Sequence, residues 1–136
     1  MRELWVFDVD GCLIDSLTGN SLRPGTVALL EQLHSSGATI VLWSAGGAEY
    51  AEARATSHGI ARYVHQFEAK QDRDPYGRYI PHFVNDTDAV FVDDRPEDMP
   101  LDADVITVSP YIGPNPHDRG LERAAARVTL RLRRTA

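Results

Sequence analysis

Five apolar runs of four to six residues limit this chain's fold most: Leu4–Phe7, Ala38–Trp43, Tyr63–Phe67, Ala89–Val92 and Val105–Val108. Each is far shorter than the roughly 20 residues that cross a bilayer and suits a buried strand instead. Stretches with helical spacing alternate with them. Pro24-Gly25 opens one in which Val27, Leu30 and Leu33 recur, and Gly37 closes it. Another runs from Ala48 to about His58. A last one runs from about Asp118 to Leu132, with Leu121, Ala125, Val128 and Leu132 on one face and Arg123, Arg127, Arg131 and Arg134 on another. Alternating strands and helices predict an α/β domain whose parallel sheet is covered on both faces. With 136 residues, no internal repeat and no linker, residues 1–136 are expected to form a single domain.

Charge and cysteine narrow the partners. Fourteen basic residues against twenty acidic ones give a net charge of −6. That sign disfavours general binding to phosphate backbones, so nucleic acid stays a secondary expectation, carried only by the arginine face of the last helix. A membrane partner is not expected, and a homo-oligomer is left open. No basic leader with an apolar stretch follows Met1, and the lone Cys12 can form neither an internal disulfide nor a zinc site. The expected compartment is therefore the reducing cytoplasm.

The strand ends hold the chemistry. Asp8 and Asp10 follow the first strand and leave an extended chain on the same side. The carboxyl end of a parallel strand is where such sheets bind ligands. Crowded carboxylates repel unless a cation joins them or one keeps its proton. Oxygen donors of this kind suit Mg²⁺, although Asp-x-Asp-Gly also reads as a plain strand-end turn. An EF-hand loop is excluded, because Val6 and Leu17 would occupy its first and last ligand places. Ser44 ends the second strand ahead of Gly46-Gly47, a hydroxyl and backbone amides suited to an anion or to a simple helix start. Lys70 follows the third strand and is the only lysine among thirteen arginines, so a compact ammonium is expected there, with Arg73 and Arg78 as rival cations. Asp93 and Asp94 end the fourth strand.

Taken in order, "VFDVDGCL", "IVLWSAGG", Lys70 and "VFVDDRPED" resemble the four motifs of the haloacid dehalogenase superfamily of phosphohydrolases, over Leu4 to about Leu132. The resemblance implies a Rossmann-like three-layer sandwich with a five-stranded parallel sheet in the order 5-4-1-2-3. It also implies a Mg²⁺-dependent phosphatase. Asp8 would be the nucleophile that takes the phosphoryl group. Asp10 would protonate the leaving oxygen and then activate water. Asp8, Asp10 (through its backbone carbonyl), Asp93 and Asp94 would hold the metal, and Ser44 and Lys70 would bind the phosphate. An acid at position 10 marks phosphoryl transfer within the family, so dehalogenation is rejected. Cys12 departs from the family's usual threonine, and Lys70 lacks the usual nearby proline, which keeps Arg78 in contention for the third motif.

Only 33 residues separate Asp10 from Ser44, and 25 separate Ser44 from Lys70. Neither interval holds a cap domain, so an open site is expected, reached by a phosphorylated metabolite or a larger molecule. "VDDR" echoes polynucleotide-end phosphatases too briefly to assign a substrate. The competing functions are a receiver-like phospho-acceptor and a catalytically quiet, Mg²⁺-binding partner subunit. Trp5 and Trp43 are read as core, and the five histidines as packing or surface residues.

Overall fold

Leu4–Phe7 contains no polar side chain, and in the computed structural model, which describes residues 3–85 and 88–135, all four residues are buried. This strand, β1, is the middle of a five-stranded, all-parallel sheet. The others are β2 (Thr39–Ser44), β3 (Gln66–Ala69), β4 (Ala89–Asp93) and β5 (Asp104–Thr107), in the order β3-β2-β1-β4-β5. That is the order expected. β1 pairs with β2 on one side and β4 on the other, with Phe7 level with Leu42 and Val92, so the ends of the three strands lie abreast. The helices are α1 (Thr26–Ser35), α2 (Ala48–Ser57) and α3 (Glu122–Thr135). None is long and apolar enough to cross a membrane.

The two faces of the sheet are covered differently. Trp5, Phe7, Ile40, Leu42, Val90 and Val92 point to one face, where α1 (Leu29, Leu30, Leu33), α2 (Ala51, Ala55) and α3 (Ala124, Val128) all pack. Leu4, Val6, Val41, Trp43 and Phe91 point to the other, where irregular chain brings Tyr79, Phe83, Val84, Met99 and Ala103 against them. Both faces are thus covered, as expected, but the three helices named above all lie on one. Handedness explains the asymmetry. The steps β1 to β2 to β3 run in one direction across the sheet, and the steps to β4 and β5 run in the other. Right-handed connections therefore pass over opposite faces. The connections on the second face are Pro- and Gly-broken (Pro75, Gly77, Pro81) or too short, and among the described residues hold only a turn of 3₁₀ helix at Pro96–Asp98.

Two element boundaries depart from the periodicity. β3 begins at Gln66 rather than Tyr63, because Ala61–Tyr63 forms a 3₁₀ turn and pairing with β2, not apolar content, defines this edge strand. The last helix begins at Glu122 rather than Asp118, because Asp118 is engaged elsewhere.

That engagement fixes the chain ahead of the site. Arg23 is fully buried, and its Nε donates to Asp118 Oδ1 (2.6 Å), Nη1 to the Cys12 carbonyl (3.2 Å) and Nη2 to Ser109 Oγ (3.1 Å). Its guanidinium also lies 5.3 Å from the Tyr111 ring centroid. Gly120 is required here, since a Cβ at that position would overlap the guanidinium. The segment after β5 is in turn laced to the loop after β1: Tyr111 N–H donates to the Gly11 carbonyl (2.7 Å), Ser16 N–H to Tyr111 O (3.0 Å) and Leu17 N–H to Ile112 O (2.8 Å). Inside that loop Asp15 accepts from the Thr18 hydroxyl (2.6 Å) and from Ser21 N–H (2.8 Å). Burial opposes its ionisation, but these bonds hold its carboxyl down at about 2.

Removing one partner of a buried, hydrogen-bonded ion pair leaves the other uncompensated. Arg23→Met is accordingly expected to lower unfolding free energy by about 3 kcal/mol or more, measured by urea denaturation. A loss within about 0.5 kcal/mol, ordinary for a surface change, would show that Arg23 does not hold the two segments together.

Candidate functional site

The carboxyl ends of β1, β2 and β4 open into a cavity of about 330 Å³ lined by Asp8, Asp10, Ser44, Lys70, Asp93 and Asp94, among others. All six residues singled out in the sequence therefore meet at one place. A larger groove of about 520 Å³ lies around Glu3, Asp88 and Arg131, at the opposite ends of β1 and β4, and among the described residues it brings together no comparably close set of carboxylates.

Lys70 organises the centre. It lies just past the end of β3, where its N–H donates to the Ser44 carbonyl (2.9 Å) and so continues the sheet pairing. Its Nζ donates to Asp8 Oδ1 and to Asp93 Oδ2, both at 3.0 Å. Its ammonium rests against two rings that pack edge to face on each other, 5.5 Å from the Trp43 centroid and 5.6 Å from that of Tyr79. Trp43 is in the core, as expected, and also flanks the ammonium. Burial works to lower the Lys70 pKa, but the Asp8 and Asp93 carboxylates outweigh it and the net shift is upward. The ammonium is therefore held charged.

The acids are pushed the other way. Burial raises Asp8 to about 6, with Asp94 adding to the rise and Lys70 opposing it. Burial and then Asp8 raise Asp93 to about 6, against Lys70 and the Arg95 N–H, which donates to Asp93 Oδ1 at 2.8 Å. Asp94 is raised too, by burial and then by Asp93. Ligand oxygens of Asp8, Asp93 and Asp94 all lie within 4.8 Å of one another. Three hard oxygen donors that gain from a neutralising charge could hold a divalent cation, and the donor set alone does not choose among such ions. Asp10 stands apart from this trio. Its carboxylate is exposed at the rim and accepts from Tyr50 Oη.

Ser44 is buried, and its Oγ accepts from Gly46 N–H (3.0 Å), the turn role weighed for it, while it also lines the cavity. Arg78, the rival third-motif residue, is committed elsewhere: its Nη1 donates to the Met99 carbonyl at 2.7 Å. Arg73 lies over the Tyr79 ring (4.0 Å) at the cavity wall. Cys12 is wholly buried, a core residue as read, and burial pushes its thiol well up. On α3, Arg127 pairs with Asp104 (2.7 Å) and Arg131 with Glu3 (2.6 Å), so half of the arginine face is spent on ion pairs beneath the helix. Sequence reasoning did not find Tyr50 or Tyr79. Neither sits at a strand end, and no spacing rule marks them.

No known family model matches the chain, and no curated protein does. A solved crystal structure that carries no functional name is similar to it, with a TM-score of 0.51 and 19% identity. The match covers 97% of this chain and 83% of that one. At that identity the likeness is one of fold.

Gly11 turns the chain at φ +79°, and a Cβ there would come within 3.1 Å of Asp94 Oδ2. Gly11→Ala is therefore expected to cost about 1–2 kcal/mol in urea unfolding through the left-handed backbone alone, and to displace the Asp94 carboxylate. Unchanged stability would mean that the turn relaxes without needing glycine.

Proposed function

We propose that the protein is a Mg²⁺-dependent phosphatase of the haloacid dehalogenase type, hydrolysing a phosphate monoester through a phosphoryl group carried on Asp8. The observation that carries this reading is the single ammonium of Lys70 bridging Asp8 and Asp93, with Asp94 in the same cluster and Asp10 at its rim. The strand order agrees with what the sequence resemblance implies.

Asp8, Asp93 and Asp94 would hold Mg²⁺, together with the Asp10 backbone carbonyl. Bound there, the ion would offset the repulsion between a carboxylate and an anionic phosphate. An oxygen of Asp8 attacks phosphorus as the ester P–O bond breaks, and Asp10 gives its proton to the leaving oxygen. Lys70 and Ser44 bind the phosphoryl oxygens, the ammonium stabilising charge that grows in the transition state. Water then attacks the same phosphorus while Asp10 takes its proton, the bond to Asp8 breaks, and phosphate leaves. No domain is inserted between Asp10 and Ser44 or between Ser44 and Lys70, where α1, α2, β3 and turns fill the chain. The cavity is therefore reached directly, which suits a large substrate as well as a metabolite.

Hydrolysis of p-nitrophenyl phosphate should require Mg²⁺ and fall to background in Asp8→Asn. Asp10→Asn should lower it about 100- to 10,000-fold. Stable phosphorylation of Asp8 without turnover would favour a receiver-like acceptor instead. Activity that survives Asp8→Asn would overturn the nucleophile.

Stability supplies a second check. Carboxyls whose pKa rises on folding bind more protons when folded, so Asp8 and Asp93 cost stability progressively as pH climbs from about 4 to about 6. A cation relieves that cost, and protons compete with it at low pH. Mg²⁺ should thus raise Tm more at pH 7.5 than at pH 5, and Asp93→Asn should reduce the gain. Equal Tm values with and without Mg²⁺ at both pH values would contradict the metal assignment.

A further inference from the structure

Tyr50, in the first turn of α2, aims its hydroxyl at the rim carboxylate, with Oη 2.8 Å from Asp10 Oδ1 and 2.9 Å from Oδ2. Its one proton is shared between the two oxygens, and nothing in the chemistry above uses it. The approach depends on residue 46 having no side chain, because a Cβ on Gly46 would come within 2.7 Å of the Tyr50 ring. Beyond the ring stands Arg54, whose guanidinium lies 5.2 Å from the ring centroid and whose Nη1 donates to the Gly19 carbonyl at 3.2 Å. His58 Nε2 meets the same carbonyl at 2.9 Å. A Cβ on Gly19 would come within 2.7 Å of the Arg54 guanidinium. Two glycines thus clear the path for a continuous brace from the loop after β1, through Arg54 and Tyr50, to Asp10.

An exposed aspartate without such a brace would sample several rotamers. We infer that Tyr50 is a positioning residue that holds the Asp10 carboxyl in the orientation its two proton transfers need. The inference rests on the phosphatase reading above. Asp10 must be a carboxylic acid when the Asp8–phosphorus bond forms and the ester bond breaks, and a carboxylate when it takes a proton from water. A carboxyl keeps an acceptor oxygen in both forms, so the tyrosine hydrogen bond serves both half-reactions.

Tyr50→Phe removes the hydroxyl and keeps the ring. The quantity kcat/KM reports the reaction up to phosphoryl capture on Asp8. An alkyl phosphate has a poor leaving group that needs the Asp10 proton, and p-nitrophenyl phosphate has a good one that does not. For Tyr50→Phe, kcat/KM should fall about 10- to 100-fold with the alkyl phosphate and stay within about twofold with p-nitrophenyl phosphate. The acid-trapped phosphoryl-Asp8 fraction should rise during p-nitrophenyl phosphate turnover, because activation of water is slowed. Added to Asp10→Asn, Tyr50→Phe should change neither readout further. An equal fall with both substrates, no change with either, or a further loss in the double variant would overturn the positioning role while leaving the phosphatase reading intact. Turnover in the parent protein that does not depend on Asp8 would remove that reading and this inference together.

Discussion

The buried ammonium of Lys70, 3.0 Å from carboxylates on two adjacent strands, is the contact on which the arrangement at the sheet's carboxyl end depends. Three aspartates with oxygens within 4.8 Å would repel strongly in so desolvated a place. The lysine offsets that repulsion from two strands away. Neighbouring strands lie about 4.8 Å apart, so about 10 Å separates the β3 edge from the line of β1. The flexible lysine stem, its hydrogen bond and the Asp8 side chain reaching from the other side span that gap together, and the ammonium rests against the Trp43 and Tyr79 rings. The pairing of Lys70 N–H with the Ser44 carbonyl fixes where the stem starts.

The site is half built by irregular chain. The helices α1, α2 and α3 pack on one face of the sheet, and Tyr79, Phe83, Val84, Met99 and Ala103, from irregular chain, cover the other. Right-handed crossovers that run both ways from β1 make that division natural, and it brings Tyr79 and Arg73 to the cavity wall. On the opposite rim, the loop after β1 is tied to the segment after β5 through Arg23 and Tyr111 and to α2 through Arg54. The loop that carries Asp10 is thus joined to two parts of the fold that are distant in sequence.

What could be read from the sequence follows a physical divide. β1 and the residues at strand ends were legible, because a short apolar run that stops at Asp8, Ser44 or Asp93 marks both the strand and its functional end. The solitary lysine stood out against thirteen arginines, and the structure places Lys70 among the acids and Arg78 on a backbone carbonyl. β3 was misplaced by three residues because an edge strand is specified by its partner rather than by its own composition. That α3 joins α1 and α2 on one face was not legible, because which face a terminal helix covers is set by tertiary packing, which no local pattern carries. Tyr50 was invisible for a related reason: its contact with Asp10 spans 40 residues and rests on the absence of a side chain at Gly46.

The most direct test of the central claim is a crystal structure grown with Mg²⁺ and beryllium fluoride, a mimic of a transferred phosphoryl group. The account predicts one metal ion bound by the Asp8 and Asp93 carboxylates, the fluoride complex on Asp8, and Lys70 Nζ turned toward a fluorine. A well-ordered map with no ion between those two carboxylates, and with Lys70 still bridging them, would contradict it.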